Sequence, residues 1–340
     1  MLETVKTLCA LSGASGYEDD VRNYVLERVM PHADKITTDS MGNLIVSKKG
    51  KVQGSRKVML CAHMDEVGLI ITGIDDDGYL HFDYLGGIDR RVIIGKRVYI
   101  GKNRTLGVVG IKAYHLVDKD EEKTVPKRED MYIDIGAKNR EDAKSLISLG
   151  DPVVFEDGIE EFGDGFIKAK ALDDRVGCAA LIELIESELP CDCTFVFTVQ
   201  EEVGTRGAKV AANTVMPDCA IVLEGTTAAD LPEVPEGKRI CRLGYGLVIP
   251  FMDKGTIYSR SLYKTITELA DKNEIKWQTK TMIAGGTDAS AVQRSGIGVD
   301  TIAISAPLRN IHSPSSVAKI SDFEEMPRLA TLLLGKLAAE

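Results

Sequence analysis

Two adjacent glutamates, Glu201 and Glu202, follow an apolar run at 194–199. Adjacent carboxylates are side chains that could take part in a reaction. The run is rich in β-branched and aromatic side chains, which is typical of a strand buried on both faces. The carboxyl end of such a strand is the edge where open α/β sheets bind ligands. Two neighbouring carboxylates near a core need a cation for compensation, so the pair indicates a cation site. The alternative is that both glutamates are simply exposed to solvent where the strand ends.

Similar side chains follow other predicted strands. They are His63 with Asp65, Asp173 with Asp174, Glu224, and His312 in the loop after the last strand. Imidazole and carboxylate ligands without cysteine favour zinc, cobalt or manganese. Each residue alone has a structural explanation, but five strand ends would need five unrelated ones. We therefore expect one centre with two divalent ions, which is the chemistry of a dimetal hydrolase.

Two further residues are weaker candidates for substrate binding. Asp288 precedes a predicted helix, and His115 lies in the β-rich middle of the chain. An aspartate at the start of a helix is most often its N-cap, so Asp288 also has a purely structural interpretation.

The elements that would position these side chains indicate two units. In 1–66 and again in 164–340, buried strands alternate with helical patterns, which predicts an α/β/α domain on a mixed sheet. The segment 67–163 contains many short strands and little helix, which is typical of a small barrel or sandwich. We therefore predict a main α/β domain, 1–66 with 164–340, and an inserted all-β, barrel-like domain, 67–163. Near the N-terminus, Ser15 and Glu18 have the spacing of a capping box that would start a helix.

Composition excludes several classes of function. The chain has 340 residues, 44% of them hydrophobic and 28% charged, which is ordinary for a soluble globular protein. Its net charge of −10 and the lack of a basic cluster argue against a nucleic-acid partner. No stretch is long and apolar enough for a membrane span, and the N-terminus does not resemble a signal peptide. Seven scattered cysteines fit reduced, buried thiols, so we expect a cytoplasmic protein.

Four motifs, in this order along the chain, resemble the dimetal aminopeptidases that include the glutamyl and tetrahedral (TET) aminopeptidases. The similarity extends over essentially the whole chain and includes the inserted β-rich segment. The motifs are Ala62-His63-Met64-Asp65-Glu66-Val67-Gly68, Ala171-Leu172-Asp173-Asp174-Arg175, Gln200-Glu201-Glu202-Val203-Gly204 and Ile311-His312-Ser313-Pro314.

The resemblance implies a role for each site residue. His63 and Glu224 would hold one metal ion, Glu202 and His312 the other, and Asp173 would bridge them. Glu201 would be the general base, and Asp65 would orient His63. One departure is that the position of Glu224 is often an aspartate in such enzymes.

The resemblance also implies an activity and an assembly. The expected activity is the removal of N-terminal residues from short peptides, with two zinc or cobalt ions, or manganese, per subunit. The inserted domain would carry dimer contacts, and the dimers would build a dodecamer. The peptide bond between Asp173 and Asp174 is expected to be cis.

Two other reactions remain open at this point. A related dimetal deacylase or carboxypeptidase would use the same ligands on a different substrate end. An endoglucanase-type glycoside hydrolase could use paired carboxylates as acid and nucleophile, but it would leave His63 and His312 unexplained. Aromatic residues, at 6%, are also few for sugar stacking.

Overall fold

A large mixed sheet and a closed barrel form the frame of the molecule. The computed structural model describes residues 1–156 and 158–339. The main sheet has 11 strands, nine of which follow the order β1-β2-β12-β3-β13-β16-β17-β11-β10, while β14 and β15 pair beside β16. Its strands are β1 (Lys35–Thr38), β2 (Leu44–Lys48), β3 (Val58–His63), β10 (Glu160–Phe162), β11 (Phe166–Ala169), β12 (Cys193–Thr198), β13 (Cys219–Thr227), β14 (Leu247–Val248), β15 (Trp277–Gln278), β16 (Asp300–Arg309) and β17 (Ser316–Lys319).

The centre of this sheet is parallel, and this geometry brings the site together. β3 pairs in parallel with both β12 and β13, and β13 pairs in parallel with β16. The carboxyl ends of these four strands therefore meet at one edge. β3 is buried along its whole length, as expected for a strand covered on both faces.

Helices cover this sheet. They are α1 (Leu2–Ala10), α2 (Asp19–Val29), α4 (Leu172–Glu186), α5 (Arg206–Val215), α6 (Arg260–Lys272), α7 (Ala289–Gln293) and α8 (Met326–Leu337), and α3 (Arg140–Leu146) belongs to the insertion. α4 is apolar on nearly every side and packs on β3 and β13, while α1, α2 and α8 pack against it. A helix that is apolar all round belongs in a core, which is where α4 lies. None of the helices in the described residues is long and apolar enough to cross a membrane.

The inserted segment forms a closed barrel with its own apolar core. Its strand order is β4-β5-β8-β7-β6-β9, and every pairing is antiparallel. The predicted fold class, a mixed-sheet α/β domain with a small all-β barrel, is confirmed. The strands are β4 (Gly68–Ile74), β5 (Leu80–Leu85), β6 (Arg97–Ile100), β7 (Thr105–Gly110), β8 (Tyr132–Asp134) and β9 (Pro152–Phe155). The boundaries 67 and 163 and the dimerisation role remain predictions.

The capping box predicted at Ser15 and Glu18 is wrong. α2 begins at Asp19, and its N-cap, Glu18, makes no side-chain cap hydrogen bond. The Ser15 hydroxyl instead donates to Asp65 Oδ2 at 2.6 Å. The Glu18 carboxylate accepts from the backbone N–H groups of Gly16 and Gln200. Both side chains are thus used to fix loops beside the carboxyl edge of the sheet, and tertiary contacts override the local pattern.

Candidate metal centre

His63 is held at the end of β3 with one ring nitrogen directed at the carboxylates. Its side chain is only 2% exposed. Nδ1 lies 3.0 Å from the Asp65 carbonyl oxygen and 3.5 Å from Asp65 Oδ1, so the backbone makes the closer contact. Because Nδ1 is directed at Asp65, Nε2 faces Asp173 and Glu224. A ring nitrogen fixed through its neighbour in this way is typical of metal-ligating histidines.

The Asp65 carboxylate fixes the neighbouring loop in addition to the histidine. Its oxygens accept hydrogen bonds from the backbone N–H groups of Glu201 and Glu202 at 2.9 and 3.1 Å. Asp65 is fully buried, and although burial alone would raise the pKa of its carboxyl, His63 and Ser15 bring that pKa below the usual value. The lowered pKa favours a negative charge beside the turn after β12 that carries the two glutamates.

Asp173 enters the site from an irregular start of α4. Asp173 and Asp174 have non-helical backbone angles, and the peptide bond between them is cis, as expected. Ala171, just before them, has φ of 54°. Gln200 before the glutamate pair and His312 itself also have positive φ. Non-glycine residues with positive φ cluster at functional sites, where the surrounding structure holds them.

The two oxygens of Asp173 face two different pairs of side chains. Oδ1 lies 3.3 Å from His63 Nε2, which is also 3.3 Å from Glu224 Oε1. Oδ2 lies 3.4 Å from His312 Nε2, which is 3.2 Å from Glu202 Oε2. Asp173 Oδ1 is buried yet accepts no hydrogen bond of acceptable geometry from the residues that the structure describes. One carboxylate between two imidazole–carboxylate pairs is the arrangement needed to bridge two cations.

A second grouping of ligand atoms is also compact but less suited to a metal. One atom each from His63, Asp174 and Glu224 lie within 4.8 Å of one another, as do atoms of His63, Asp173 and Glu202. Asp174, however, already accepts from the N–H groups of His63 at 3.3 Å and Gly177 at 2.9 Å. Its oxygens are therefore occupied by the backbone, whereas those of Asp173 are directed at histidines. We favour Asp173 as the bridging carboxylate.

Glu224 lies inside β13 and not beyond its end as the sequence pattern suggested. The strand continues past the site to Thr227, paired throughout with β16. The next residue, Gly225, is close to Asp173: a Cβ atom there would lie 2.8 Å from Asp173 Oδ1. A side chain at position 225 would therefore displace the Asp173 carboxylate.

His312 connects the main sheet to the barrel insertion. Its Nδ1 lies 2.9 Å from the carbonyl oxygen of Gly87, in the loop that follows β5. At Gly86, a Cβ atom would come within 3.2 Å of Glu202 Cβ and 2.9 Å of Val67 Cγ1. The barrel loop thus packs directly against the His312–Glu202 pair and sets the orientation of the histidine ring.

The electrostatics of this cluster favour bound cations. Burial raises the pKa of the carboxyls of Glu201 and Glu224 well above their usual value and that of Glu202 to about 8, and neighbouring carboxylates add to the effect. Burial would lower the pKa of His312, but Asp173 and Glu202 raise it to about 9. Raised pKa values of both the carboxyls and the neighbouring histidine indicate that negative charge is in excess in this low-dielectric site. Divalent cations would relieve it.

The carboxylate of Glu201 is available for chemistry. Its backbone N–H is bound by Asp65, but none of the residues 1–156 and 158–339 hydrogen-bonds to its side-chain oxygens. Glu202, by contrast, faces His312. Both glutamates lie beyond β12, which ends at Thr198, so the turn and not strand alternation sets their directions.

The substrate-binding candidates differ in their surroundings. Asp288 is fully buried at the start of α7 but makes no side-chain cap hydrogen bond. Its Oδ2 accepts from Thr198 Oγ1 at 2.5 Å, its Oδ1 has no partner among the described residues, and burial raises the pKa of its carboxyl to about 6. His115 is exposed in a short 3-10 helix of the insertion, and none of its described contacts joins it to the centre. A substrate role for either residue remains a prediction.

A buried ion-pair network behind the site was not predicted. Glu66 accepts from Lys170 Nζ at 2.7 and 2.9 Å and from Arg175 Nη2 at 3.2 Å. Lys170 also donates to the Leu11 carbonyl, at the end of α1. All three charged side chains are at most 3% exposed. The network connects the loops that carry His63 and Asp173. Glu66 and Arg175 are charged residues within the sequence motifs, and this signal for a buried ion pair was not used in the sequence analysis.

A family model matches most of the chain. Residues 42–329 match the model described as M42 glutamyl aminopeptidase. The chain belongs to the M42 glutamyl aminopeptidase family. As a member of this family the chain is an enzyme, a peptidase, and the fold and motif resemblance inferred from the sequence is confirmed.

Curated M42 relatives match over nearly the whole chain. The lysyl aminopeptidase of Pyrococcus furiosus is 33% identical over 345 residues, covering 98% of this chain and 97% of the relative. The glutamyl aminopeptidase of Lactococcus lactis subsp. cremoris is 30% identical over 350 residues, covering 100% and 97%. These two names specify opposite charges for the N-terminal side chain.

Solved structures agree with the M42 fold. An aminopeptidase from Desulfurococcus kamchatkensis superposes with a TM-score of 0.93 at 36% identity, over 98% of this chain and 94% of that one. The TET1 peptidase of Pyrococcus horikoshii, described as assembling into a tetrahedron or a large octahedral shell, gives 0.86 at 36% identity over 98% of both chains. A Thermotoga maritima protein described as an endoglucanase gives 0.82 at 35% identity, again over 98% of both.

Proposed function

We propose that this protein is a metal-dependent aminopeptidase that removes N-terminal residues from short peptides. The observation that carries the proposal is the position of Asp173, whose two oxygens face the His63–Glu224 and His312–Glu202 pairs separately. A glycoside hydrolase needs two carboxyl groups across a sugar and has no use for this pair of imidazoles.

The side chains fit two divalent cations. Imidazole nitrogens and carboxylate oxygens without thiolates suit zinc or cobalt, with manganese as a further candidate. His63 and Glu224 would hold one ion, His312 and Glu202 the other, and Asp173 both. The buried Oδ1 of Asp173 supports the assignment, because an oxygen that accepts no hydrogen bond within the described part of the chain otherwise carries an uncompensated cost.

Glu201 is the general base of the proposed mechanism. When bound, the two cations would polarise the scissile carbonyl and lower the pKa of the attacking water. Glu201 takes a proton from that water and returns it to the amine that leaves. Burial raises the pKa of this carboxyl in the absence of cations, and the surroundings leave its oxygens unoccupied, so both proton uptake and release are feasible. Asp65 and Gln200 position the residue through its backbone.

The acidic centre also explains restriction to the N-terminal residue. A protonated α-amine is a cation, which neighbouring carboxylates stabilise, and a neutral α-amine can ligate a metal ion. An internal peptide bond offers no such group. A deacylase or carboxypeptidase would need a different feature near the metals. The end of the substrate that the enzyme prefers therefore distinguishes an aminopeptidase from these two alternatives.

A substrate panel tests the proposal. Metal-loaded protein is assayed on aminoacyl-anilides, N-acetylated aminoacyl-anilides, carboxy-terminal peptide substrates and carboxymethylcellulose. We expect hydrolysis of the free-amine anilides alone, loss of activity with a chelator, and about two metal ions per subunit on readdition of zinc or cobalt. Cellulose cleavage that survives the chelator would instead support the glycosidase.

We further propose that the enzyme is a cytoplasmic homo-oligomer. All seven cysteines are buried, and no disulfide bond joins them in the described part of the chain, which favours a reducing compartment. The barrel exposes the apolar side chains Leu106, Val108, Tyr114 and Leu116. Such side chains are candidates for subunit contacts, and a similar peptidase assembles into a closed shell.

A further inference from the structure

A groove between the barrel and the main unit, here called the barrel groove, opens next to the metal centre. It has a volume of about 590 Å³ and lies between the barrel segment 89–96 and the loop 310–315. His312 and Ser313 line this groove and also line the small pocket at the centre, together with Asp173 and Glu202. The barrel groove therefore begins at proposed metal ligands. Its volume falls in the range of about 300 to 1,000 Å³ that is usual for small-ligand sites.

Hydrogen bonds fix both walls of the barrel groove. On the barrel side, the Lys96 carbonyl oxygen accepts from the Val109 N–H at 2.9 Å. On the main unit, the hydroxyls of Ser313 and Ser316 donate to the Asn310 carbonyl oxygen at 2.6 and 3.0 Å. A site whose walls are already fixed loses little conformational entropy when a ligand binds.

The barrel wall of the groove carries two cations and one acid. Arg91 Nε donates to both Asp89 carboxylate oxygens, at 3.0 and 2.8 Å, so these two charges compensate each other. Lys96 is exposed in the same wall, and its ammonium group forms no ion pair with a carboxylate of residues 1–156 and 158–339. The groove thus has one uncompensated positive charge, in a chain with a net charge of −10 and beside a centre rich in carboxylates.

The position and charge of the barrel groove suit the far end of a peptide. An aminopeptidase has a single substrate residue on the amine side of the scissile bond, so the rest of the peptide needs space on the other side. The groove supplies space for more than one residue directly at His312. Half-buried Val92, Ile94 and Ile311 offer apolar surface to the side chains of these residues. A short peptide with its α-amine at the carboxylates would then place its terminal carboxylate near Lys96, and the two opposite charges attract each other.

We propose that the barrel groove holds the part of the peptide that leaves, and that Lys96 binds the C-terminal carboxylate of dipeptides and tripeptides. The inference rests on the proposed aminopeptidase function and adds a specificity-determining residue to it. Lys96 makes the enzyme prefer short peptides with a free carboxyl terminus over the same peptides ending in an amide. The flexible four-carbon stem of a lysine lets its ammonium group follow a carboxylate at either of two peptide lengths.

The test compares X-Gly and X-Gly-Gly with their C-terminal amides, where X is the residue that the anilide panel favours. Acid and amide differ in charge but hardly in shape. We expect kcat/KM of the metal-loaded wild type to favour the acid by about two- to fivefold in at least one pair, as for an exposed ion pair, and the preference to shrink at high ionic strength.

Variants of Lys96 assign this preference. Lys96→Met should bring acid and amide to the same kcat/KM, mainly through KM, and Lys96→Glu should favour the amide. Lys96→Arg, which keeps the charge, should keep the preference for the acid. Lys102→Met, an equal change of charge at an exposed barrel position outside the groove, should also keep it. Elemental analysis of each variant confirms that the metal content is unchanged.

Three results would overturn the inference. They are a wild type with equal values for acid and amide in both pairs, a Lys96→Met variant that keeps the preference, and a Lys96→Glu variant that changes subunit assembly but not the ratio of acid to amide. Failure of the proposed function looks different, because neither acid nor amide is then hydrolysed although metal is bound. Binding decides in that case: the acid must raise the melting temperature of the metal-loaded wild type more than the amide does, and must fail to do so in Lys96→Met.

Discussion

At the residue scale, the roles proposed for the two adjacent glutamates can be separated by experiment. Glu201→Gln should retain both metal ions while kcat falls by at least ~10²-fold, because the base is lost and the ligands remain. Glu202→Gln should lose metal, since a neutral amide replaces an anionic ligand beside His312, and excess zinc or cobalt should partly restore activity. Elemental analysis and steady-state kinetics on both variants check the pair. A Glu201→Gln protein with a single ion, or with near wild-type turnover, would reverse the assignment.

Glu18 provides a pH-dependent contribution to stability. Burial raises the pKa of its carboxyl from 4.5 to about 7, while the N–H groups of Gly16 and Gln200 oppose the shift. An acid with a raised folded-state pKa stabilises the protein below its unfolded pKa, and this contribution is lost as the pH rises from about 4.5 through 7. Glu18→Gln keeps an acceptor oxygen without a charge.

We expect Glu18→Gln and wild type to differ little at pH 5, and the variant to be more stable by about 1 to 2 kcal/mol at pH 8. Urea unfolding of both proteins with the same metal load measures this difference, because the pH dependence of metal binding then cancels. A difference that is constant from pH 5 to pH 8 would show that Glu18 keeps an ordinary pKa.

At the element scale, the start of α4 depends on a glycine. A Cβ atom at Gly177 would lie 2.4 and 2.5 Å from the Asp174 carboxylate oxygens, and the Gly177 N–H donates to one of them. Gly177→Ala should therefore displace Asp174, release the His63 N–H, and cost about 1 to 3 kcal/mol with a loss of metal affinity. Gly335→Ala, in α8 with no neighbour closer than 3.9 Å, should stabilise by about 0.5 to 1 kcal/mol. Denaturant unfolding and metal titration of both variants compare them; equal effects would contradict the packing explanation.

The strands of the main sheet could be predicted from the sequence, whereas many contacts between distant segments could not. The apolar runs before His63, Glu201 and Glu224 mark buried parallel strands, so the gathering of ligand-type residues at one edge was predictable. Contacts that join distant segments were not. Ser15 donates to Asp65 across 50 positions, and Gly87 contacts His312 across 225, and neither contact leaves a local pattern.

At the scale of the whole molecule, we expect subunit association. Leu106 and Val108 point outward from β7 at 44% and 41% exposure, on a barrel whose core is separately filled. Native mass spectrometry of metal-loaded protein should show at least a dimer and a closed assembly of up to twelve subunits. Val108→Glu should weaken association, because it places a charge in the contact, whereas Met30→Glu, at an exposed apolar position on the main unit, should not. A single species of 37.0 kDa would refute the expectation.

The hydrogen bond between Gly87 and His312 makes the barrel more than a replaceable module. Deleting the insertion would remove the acceptor that fixes the histidine ring and the glycine loop that packs on Glu202. A shortened chain could still form the parallel strands, yet the His312 and Glu202 side chains would lose their orientation. During evolution, therefore, the insertion could be exchanged only for a segment that supplies an acceptor at the same point. The two units are separate in topology but constrained to change together.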